Sequence, residues 1–422
     1  MKTLIIGGVA AGTKTAAKLK REDRSAEVTV ITKDRDISYA GCGLPYYVGG
    51  LIESREELIV NTPAKYAGLT GVEVKTGKEA IALHADKKEV IAKDVETGKE
   101  ETYNYDKLVL AVGASPAKLP IEGTELSGVF KMRTPDDATN IRTYVEENQV
   151  KKAVVIGAGF IGLEVAENLK AKGVQVTVID FASQILPNIV DTEVAVYAKK
   201  HLLKEGIRVI TGTKAEEIMG EDHVTGVKTS AGLLRCDLLI MAAGIRPNTD
   251  FLQDSGLEMF KGTIIVDKTM KTNLEDVYAA GDCVMVTNRI TGKPQWSPMG
   301  SSANLEGRTL AQVLTGTKKE HPGVLGTGVV KLPGLNIGRT GLTEEQAKNA
   351  GYDVVTVVAP TDDKAHYYPD AGFFITKLIA EKETHKLLGV QVLGTGAVDK
   401  MVDIAVMGIN MGAVLELSLI HI

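Results

Sequence analysis

The stretch "SYAGCGLPYYVGG" contains Cys42 among glycines, ahead of a proline and two tyrosines. The other two cysteines, Cys236 and Cys283, are too scattered for a disulfide framework or a zinc site. The thiolate is the nucleophilic form of cysteine, and Gly43 and Pro45 suit a helix that begins directly after Cys42 and lowers the pKa of its thiol. The sequence therefore predicts a reactive thiol at Cys42 and buried, structural thiols at the other two positions.

A glycine-rich turn in residues 152–180, "KAVVIGAGFIGLEVAENLKAKGVQVTVID", lies between a strand pattern and a helix pattern. Gly157, Gly159 and Gly162 fit G-x-G-x-x-G, which allows a tight turn, close approach of a pyrophosphate and close packing of helix on strand. Asp180 ends the next strand 23 residues after Gly157 (180 − 157), where a carboxylate can accept hydrogen bonds from a ribose diol. No arginine follows in "FAS", so the pattern favours NADH over NADPH.

A second, weaker copy opens the chain. "GGVAAG" keeps the outer glycines, Gly7 and Gly12, but places Val9 in the middle position. The acid expected at the end of the following strand, "EVTVIT", is missing. A ribose contact by Asp34 or by the backbone stays open. Two βαβ openings still predict two dinucleotide-binding domains.

Two later strands extend the first domain. "YDKLVLAVGASP" runs into Gly113, and "NLEDVYAAGDC" ends on small residues and Asp282. A carboxylate at that strand end could hold the ribityl or phosphate region of a flavin. Residues 321–360 and beyond alternate β-branched strands with turns and one helix capped by Thr343, which predicts a separate α+β domain that forms an interface.

Composition excludes several other classes. The chain has 422 residues, 44% of them hydrophobic and 24% charged, which is enough for two or three domains. Its net charge of −5, without a basic block, argues against nucleic acid as a partner. No apolar run reaches the roughly 18 residues that a bilayer crossing needs, and the glycine-punctured N-terminus does not fit a signal peptide. The cytoplasm is the expected compartment.

Together, the segments "GGVAAG", "SYAGCGLPYYVGG", "LAVGASP", "GAGFIGLE", "AAGIRPNT" and "YAAGDC", followed by the α+β tail, resemble the pyridine nucleotide-disulfide oxidoreductases. Within them, the chain is most similar to the single-cysteine branch of coenzyme A disulfide reductases, NADH oxidases and NADH peroxidases. The resemblance implies an α/β fold with two Rossmann-like domains and a C-terminal α+β dimerisation domain. The implied boundaries are 1–149 and 267–318 for FAD, 150–266 for NAD, and 319–422 for dimerisation.

The resemblance also implies the ligands: FAD, NADH with NADPH possible, and coenzyme A held as a mixed disulfide on Cys42. NADH would reduce the flavin on one face, and the flavin would reduce that mixed disulfide on the other. The implied cofactor-binding residues are Gly7, Ala10, Ala11, Gly12, Asp34, Ser38, Ala111, Gly113, Gly157, Gly159, Phe160, Ile161, Gly162, Asp180, Gly244, Gly281 and Asp282.

Two features bear on the branch. Oxidases and peroxidases of the branch have a histidine in the first glycine loop, where this chain has Ala10, so we expect reduction of coenzyme A disulfide. Gly41, however, stands where coenzyme A disulfide reductases often have an asparagine. In those reductases a tyrosine of the partner subunit protonates the leaving thiolate, and "HYYPDAG" offers Tyr367 and Tyr368, which fit equally well as an aromatic pair packed at a dimer contact.

Alternatives remain at this stage. An NADH oxidase or a per- or polysulfide reductase would share the fold and cofactors, a redox sensor would reduce its flavin once and stop, and a reductase for an iron-sulfur protein would not need Cys42. The final residues, "LSLIHI", resemble a translated sequencing adapter. We therefore expect a truncated dimerisation domain, and a homodimer when the chain is full length.

Overall fold

The computed structural model describes residues 1–365 and 367–419. The chain divides into two compact units. The first consists of Met1–Gly41, Ser54–Ser115 and Ile245–Val324, and the second of Cys42–Glu53, Pro116–Gly244 and Leu325–Ile422. This division is coarser than the three expected domains, whose boundaries stay predictions.

Helices occur in both units. They are α1 (Ala10–Glu22), α2 (Leu44–Gly49), α3 (Pro63–Thr70), α4 (Pro135–Glu147), α5 (Phe160–Ala171), α6 (Thr192–Lys204), α7 (Gly300–Leu314), α8 (Glu344–Asn349), α9 (Val398–Met411) and α10 (Leu415–Leu419). Short 3₁₀ turns span Gly41–Gly43, Arg55–Leu58, Ala85–Lys87 and Asp250–Leu252.

The strands are mostly short. They are β1 (Lys2–Ile6), β2 (Glu27–Ile31), β3 (Glu73–Lys75), β4 (Lys78–His84), β5 (Glu89–Asp94), β6 (Glu100–Asn104), β7 (Lys107–Leu110), β8 (Ala114–Pro116), β9 (Val129–Lys131), β10 (Lys152–Ile156), β11 (Gln175–Ile179), β12 (Arg208–Ile210), β13 (Ala215–Gly220), β14 (Val224–Thr229), β15 (Gly232–Arg235), β16 (Leu238–Met241), β17 (Ile245–Pro247), β18 (Met259–Phe260), β19 (Thr263–Ile265), β20 (Val277–Ala279), β21 (Val284–Thr287), β22 (Pro294–Trp296), β23 (Gly328–Leu332), β24 (Leu335–Gly341), β25 (Val354–Asp362), β26 (Phe373–Glu381) and β27 (Leu387–Gly394).

A parallel sheet organises the first unit. Its order is β20-β7-β1-β2-β3, and every pair in it runs parallel. The central strand, "KTLII", is buried at all positions after its first, as expected for a parallel strand with both faces covered. Helices α1 and α7 pack closely, because a side chain at Gly307 would lie 2.7 Å from the carbonyl oxygen of Ala11.

The second unit repeats this arrangement and adds an antiparallel sheet. Its parallel sheet has the order β12-β11-β10-β16-β9 and centres on the buried strand "KAVVI". The antiparallel sheet has the order β23-β24-β27-β26-β25, with α9 packed on β24 and β27. The expected fold class, two Rossmann-like domains and a C-terminal α+β domain, is confirmed.

Several local predictions can be compared with the structure. Thr343 caps α8 in a capping box with Gln346, as predicted. The last six residues begin within α10, and positions 420–422 lie outside the described residues. Nothing in residues 1–365 and 367–419 forms a helix long and apolar enough to cross a bilayer.

Candidate active site

The first glycine loop joins β1 to α1. Gly7 has a φ of 117°, and a side chain there would lie 2.0 Å from the carbonyl oxygen of Ala111. At Gly12 a side chain would lie 1.9 Å from the carbonyl oxygen of Gly7. The loop can therefore only form with glycine at these two positions. It places Ala10 and Ala11 at the start of a helix of 13 residues, whose free N–H groups suit a phosphate.

Other predicted residues of the first unit gather around this loop. Ser38 takes a left-handed φ of 49°, and its N–H donates to the carbonyl oxygen of Gly8 over 2.8 Å. Ala111 and Gly113 follow β7, while Gly281 follows β20 and a side chain there would lie 3.0 Å from the Cβ of Ala11. Asp282 is the next residue, half-buried at the same strand end. Asp34 lies half-buried in the bend after β2.

A buried carboxyl supports the Gly281–Asp282 strand end. The side chain of Glu306, on α7, is 1% exposed, and its Oε2 accepts a hydrogen bond from the backbone N–H of Gly281 over 2.6 Å. Burial raises the pKa of this carboxyl to about 8. The group is therefore mostly neutral at physiological pH.

The second glycine loop, between β10 and α5, has the same backbone requirements. Gly157 has a φ of 112°, and a side chain there would lie 2.4 Å from the carbonyl oxygen of Ala242. A side chain at Gly162 would lie 1.9 Å from the carbonyl oxygen of Gly157. Gly159 differs, because it has a φ of −82° and a Cβ there would meet no atom within 4 Å.

The remaining predicted residues of the second unit surround this loop. Phe160 and Ile161 form the first turn of α5, and Gly244, with a φ of 90°, follows β16. Asp180 directly follows β11. Its Oδ2 accepts a hydrogen bond from Ala158 N–H, and its Oδ1 accepts one from Ala182 N–H, both over 2.7 Å. The carboxylate thus ties the glycine loop to the turn after β11.

Both loops fit the phosphate groups of dinucleotides. Each opens a helix of 12 or 13 residues with backbone N–H groups, and neither first helical turn carries an acidic residue. The open space over Gly159 is what close approach of a pyrophosphate requires. Among the described residues, no group of three or more histidine, cysteine, aspartate or glutamate side chains is arranged to hold a metal ion.

The three cysteines differ sharply in their surroundings. Cys42 is exposed, in the 3₁₀ turn that leads into α2. Cys236 and Cys283 are buried, and burial raises the pKa of each thiol to about 12. The helix after Cys42 begins at Leu44, as predicted, but it has only six residues, so its dipole is weak. Of the three thiols, only that of Cys42 is exposed, and its role as the redox thiol stays a prediction.

Two half-buried carboxyls, those of Glu164 and Glu167, lie on α5, which packs on the short helix α2 that follows Cys42. Tyr46, on α2, donates its hydroxyl to Oε1 of Glu164, on α5, over 3.3 Å. Burial raises the pKa of Glu164 to about 7, against the lowering effect of this hydrogen bond. Burial and the charge of Glu164 raise the pKa of Tyr46. Glu167, one turn further along α5, keeps a buried Oε2 without a hydrogen-bond partner among the described residues, and burial raises its pKa too.

Tyr367 and Tyr368 lie in the turn between β25 and β26. They are 74% and 55% exposed, with their rings stacked at 5.5 Å between centroids. Exposure of this kind suits either a contact with a second chain or a contact with substrate. Their role therefore stays a prediction.

The sequence matches a known protein family over nearly the whole chain. Residues 1–303 match the family described as pyridine nucleotide-disulphide oxidoreductase, and residues 329–421 match its dimerisation domain. The chain belongs to the pyridine nucleotide-disulphide oxidoreductases. Members of this family are flavoproteins that use FAD and NAD(P)H. That the first glycine loop binds FAD and the second binds NAD(P)H stays a prediction.

Individual members of the family with high similarity carry three different names. An NADH oxidase of Methanocaldococcus jannaschii is 37% identical over 403 residues, 96% of this chain and 90% of the relative. A coenzyme A disulfide reductase of Staphylococcus epidermidis is 31% identical over 420 residues, 98% of this chain and 93% of the relative. The structure of an NAD-dependent persulfide reductase from A. fulgidus superposes with a TM-score of 0.95 and 39% identity, over 99% of this chain and 78% of that one.

Sequence reasoning missed three residues of this oxidoreductase that the structure brings forward. Glu306 and Glu164 appear as ordinary helix positions, and only the fold reveals that the first is buried and the second half-buried. Arg142 carries no local motif, yet its guanidinium contacts the segment that follows Cys42. The available signal for Glu164 was its place in "GLE", two residues after the last glycine of the second loop, where an acid stands among apolar helix residues.

Proposed function

We propose that this oxidoreductase reduces coenzyme A disulfide, or a related low-molecular-weight disulfide, with NADH and FAD through the single redox cysteine Cys42. The observation that carries the proposal is the contrast among the thiols, since Cys42 is exposed and the other two are buried. Without a second thiol beside it, Cys42 has to pair with a small thiol or be oxidised itself. Coenzyme A is the small thiol named in several of the relatives.

The reaction follows from thiol exchange. The Cys42 thiolate attacks one sulfur of coenzyme A disulfide, so that the substrate S–S bond breaks and a mixed disulfide with Cys42 forms. The first coenzyme A leaves as a thiolate and takes a proton. Bound FAD supplies the relay by which the electron pair of NADH reaches the mixed disulfide. The second coenzyme A then leaves and the Cys42 thiolate is restored, so one disulfide, one NADH and one proton give two thiols and NAD⁺.

The surrounding residues have supporting roles in the proposal. Asp180 favours NADH, because its carboxylate would repel a 2′-phosphate and Phe181, Ala182 and Ser183 supply no cation to hold one. Tyr367 or Tyr368, contributed by the second chain of a homodimer, donates the proton to the leaving thiolate. The dimerisation domain at residues 329–421 supports the homodimer.

Reduction of per- or polysulfides is the second candidate. The persulfide reductase from A. fulgidus supports it, because it shares 39% of its sequence with this chain over the aligned region. Oxidase activity is less favoured, since Ala10 stands where a catalytic histidine of the first glycine loop would be.

The test is the intact mass of the purified, denatured and unreduced protein, before and after treatment with a thiol reductant. We expect an adduct of the mass of coenzyme A that reductant removes and that is missing from Cys42→Ser. NADH-dependent turnover of coenzyme A disulfide should be abolished in the same variant. A bare, sulfenic or persulfide Cys42, together with turnover of polysulfide but not of coenzyme A disulfide, would instead support the second candidate.

A further inference from the structure

The segment Cys42–Glu53 belongs to the second compact unit, although the residues on either side of it belong to the first. A helix as short as α2 is not stable by itself in water. Its position, and with it the position of Cys42, has to come from packing on α4 and α5. On the α5 side, a side chain at Gly49 would lie 2.2 Å from Oδ1 of Asn168.

On the α4 side, one side chain makes most of the polar contacts. Arg142 Nη1 lies within hydrogen-bonding distance of three backbone carbonyl oxygens, those of Tyr47 at 3.3 Å, Ile52 at 3.4 Å and Glu53 at 3.0 Å. The guanidinium also lies over the buried ring of Tyr47, 4.7 Å from its centroid. Its Nε donates to Glu146 over 3.3 Å.

These contacts act where a short helix is weakest. Helix α2 ends at Gly49, and Gly50 takes a left-handed φ of 84°. Of the three carbonyl groups that Arg142 contacts, only that of Tyr47 belongs to α2, and it also accepts a hydrogen bond from Gly50 N–H over 3.2 Å. The other two, of Ile52 and Glu53, lie in the segment after the helix, so the guanidinium joins the end of α2 to the chain that leaves it. A planar cation that bonds to carbonyls and stacks on a ring also fixes orientation, which a lysine ammonium does less well.

We propose that Arg142 is a positioning residue for Cys42, holding the end of α2 so that the thiol at its start keeps its reactive position. The proposal rests on the proposed function, in which Cys42 is the redox thiol. Arg142 itself does not contact the substrate in this proposal. The guanidinium acts through the peptide segment between Tyr47 and Glu53.

The test compares Arg142→Gln with Lys172→Gln in the FAD-loaded, pre-reduced protein. Lys172 donates to Glu146 over 3.3 Å, as Arg142 does, so the control removes the same unit charge from the same cluster and leaves the three carbonyl contacts in place. The probe is dithiobis(nitrobenzoate), a disulfide that releases a coloured thiolate. Cys236 and Cys283 are buried, so the first fast release reports on Cys42, and Cys42→Ser verifies this assignment.

We expect Arg142→Gln to slow this first release by about tenfold at neutral pH, because small displacements of reacting groups cost one or two orders of magnitude. The midpoint of its pH–rate profile should move upward. Amide hydrogen exchange should rise in residues 42–53 and stay unchanged in β10. Lys172→Gln should remain within about twofold of the parent, and Arg142→Lys should lie between the two.

The proposal would be overturned if the release rate of Arg142→Gln stayed within twofold of the parent and its pH midpoint did not move. An equal loss of release rate in Lys172→Gln would also overturn it. If Arg142→Gln does not fold, Arg142→Lys gives the decision, because it keeps the charge but not the stacked geometry. The probe needs neither NADH nor coenzyme A. Failure of the parent protein to turn over coenzyme A disulfide would therefore count against the proposed function and leave the role of Arg142 to be decided by the probe.

Discussion

The two glycine loops of this chain build nearly the same backbone from unequal sequences. The first glycine has nearly the same φ in both loops, 117° at Gly7 and 112° at Gly157. In both, a side chain at the last glycine would lie 1.9 Å from a carbonyl oxygen of the first. The middle position is different, because Val9 and Gly159 both have negative φ values and the fold itself requires glycine at neither.

The comparison separates two reasons for a glycine. The outer glycines are required by the protein's own backbone, so they persist in the weaker copy. The middle position is where a bound pyrophosphate would approach the backbone closely, so we expect its replacement by Val9 to leave the backbone of the loop intact and to change how a ligand approaches it. Each unit also contains a carboxyl near its loop whose pKa is raised by burial, the fully buried Glu306 in the first and the half-buried Glu164 in the second.

The largest effect that distinguishes the two units is expected from these carboxyls. Their pKa values, about 8 for Glu306 and about 7 for Glu164, lie above the ordinary value of 4.5. Between pH 4.5 and the raised pKa of each carboxyl, the folded state binds more protons than the unfolded state. The free energy of unfolding therefore falls as pH rises from 4.5. At one pKa unit per 1.36 kcal/mol, the loss is about 5 kcal/mol for Glu306 by pH 8 and about 3 kcal/mol for Glu164 by pH 7.

Glu306→Gln and Glu164→Gln should remove these losses. In Glu306→Gln the new side chain is a close isostere, because its amide oxygen can still accept from Gly281 N–H, and the variant should gain stability relative to the parent as pH rises from 5 toward 8.5. Denaturant unfolding at a series of pH values, at fixed FAD concentration, measures the difference. The gain should stop near pH 8 for Glu306 and near pH 7 for Glu164. Parallel curves for variant and parent would mean that the carboxyls ionise normally.

The second effect concerns the glycines. Gly162→Ala and Gly12→Ala should each lower the free energy of unfolding by about 2–3 kcal/mol, since a methyl group has to displace backbone. Gly159→Ala is the matched control, and it should change stability by less than about 0.5 kcal/mol. It should nevertheless weaken NADH binding by about tenfold, because its methyl group enters the space a pyrophosphate needs. Equal destabilisation by Gly159→Ala and Gly162→Ala would remove the distinction between the two kinds of glycine.

Much of this architecture follows from the sequence. The two glycine turns, the strand ends at Gly113 and Asp282 and the helix cap at Thr343 each depend on neighbours within a few residues, and their backbone requirements are local. The separation of Cys42 from Cys236 and Cys283 was also predictable, because the two structural cysteines stand in apolar strand patterns.

What the sequence could not provide depends on partners far along the chain. Arg142 meets carbonyl groups about 90 residues earlier, and Tyr46 meets Glu164 118 residues later. Neither spacing has a period that helix or strand geometry would produce. The raised pKa values of Glu164 and Glu306 likewise arise from burial, which the tertiary fold determines.

The smallest effect is expected at the acids that follow the two loops. Asp180 ties Ala158 and Ala182 together through both carboxylate oxygens, whereas Asp34 lies in a bend beyond the end of β2. Asp180→Asn keeps only one accepting oxygen, so one of the two backbone N–H groups loses its partner. We expect NADH to bind about tenfold more weakly, a change of about 1.4 kcal/mol, and the preference over NADPH to shrink because a negative charge is lost.

Asp34→Asn is the control in the first unit, and FAD affinity should change by less than about twofold if the backbone makes the ribose contact there. Fluorescence titration of NADH, NADPH and FAD with each variant gives all three values. A tenfold loss of FAD affinity in Asp34→Asn would mean that Asp34 contacts the ribose in spite of its displaced position. Both loops would then use a carboxylate to bind a ribose as well as sharing a backbone. The acid missing from its expected place in the first copy would be Asp34, displaced along the sequence from the end of β2.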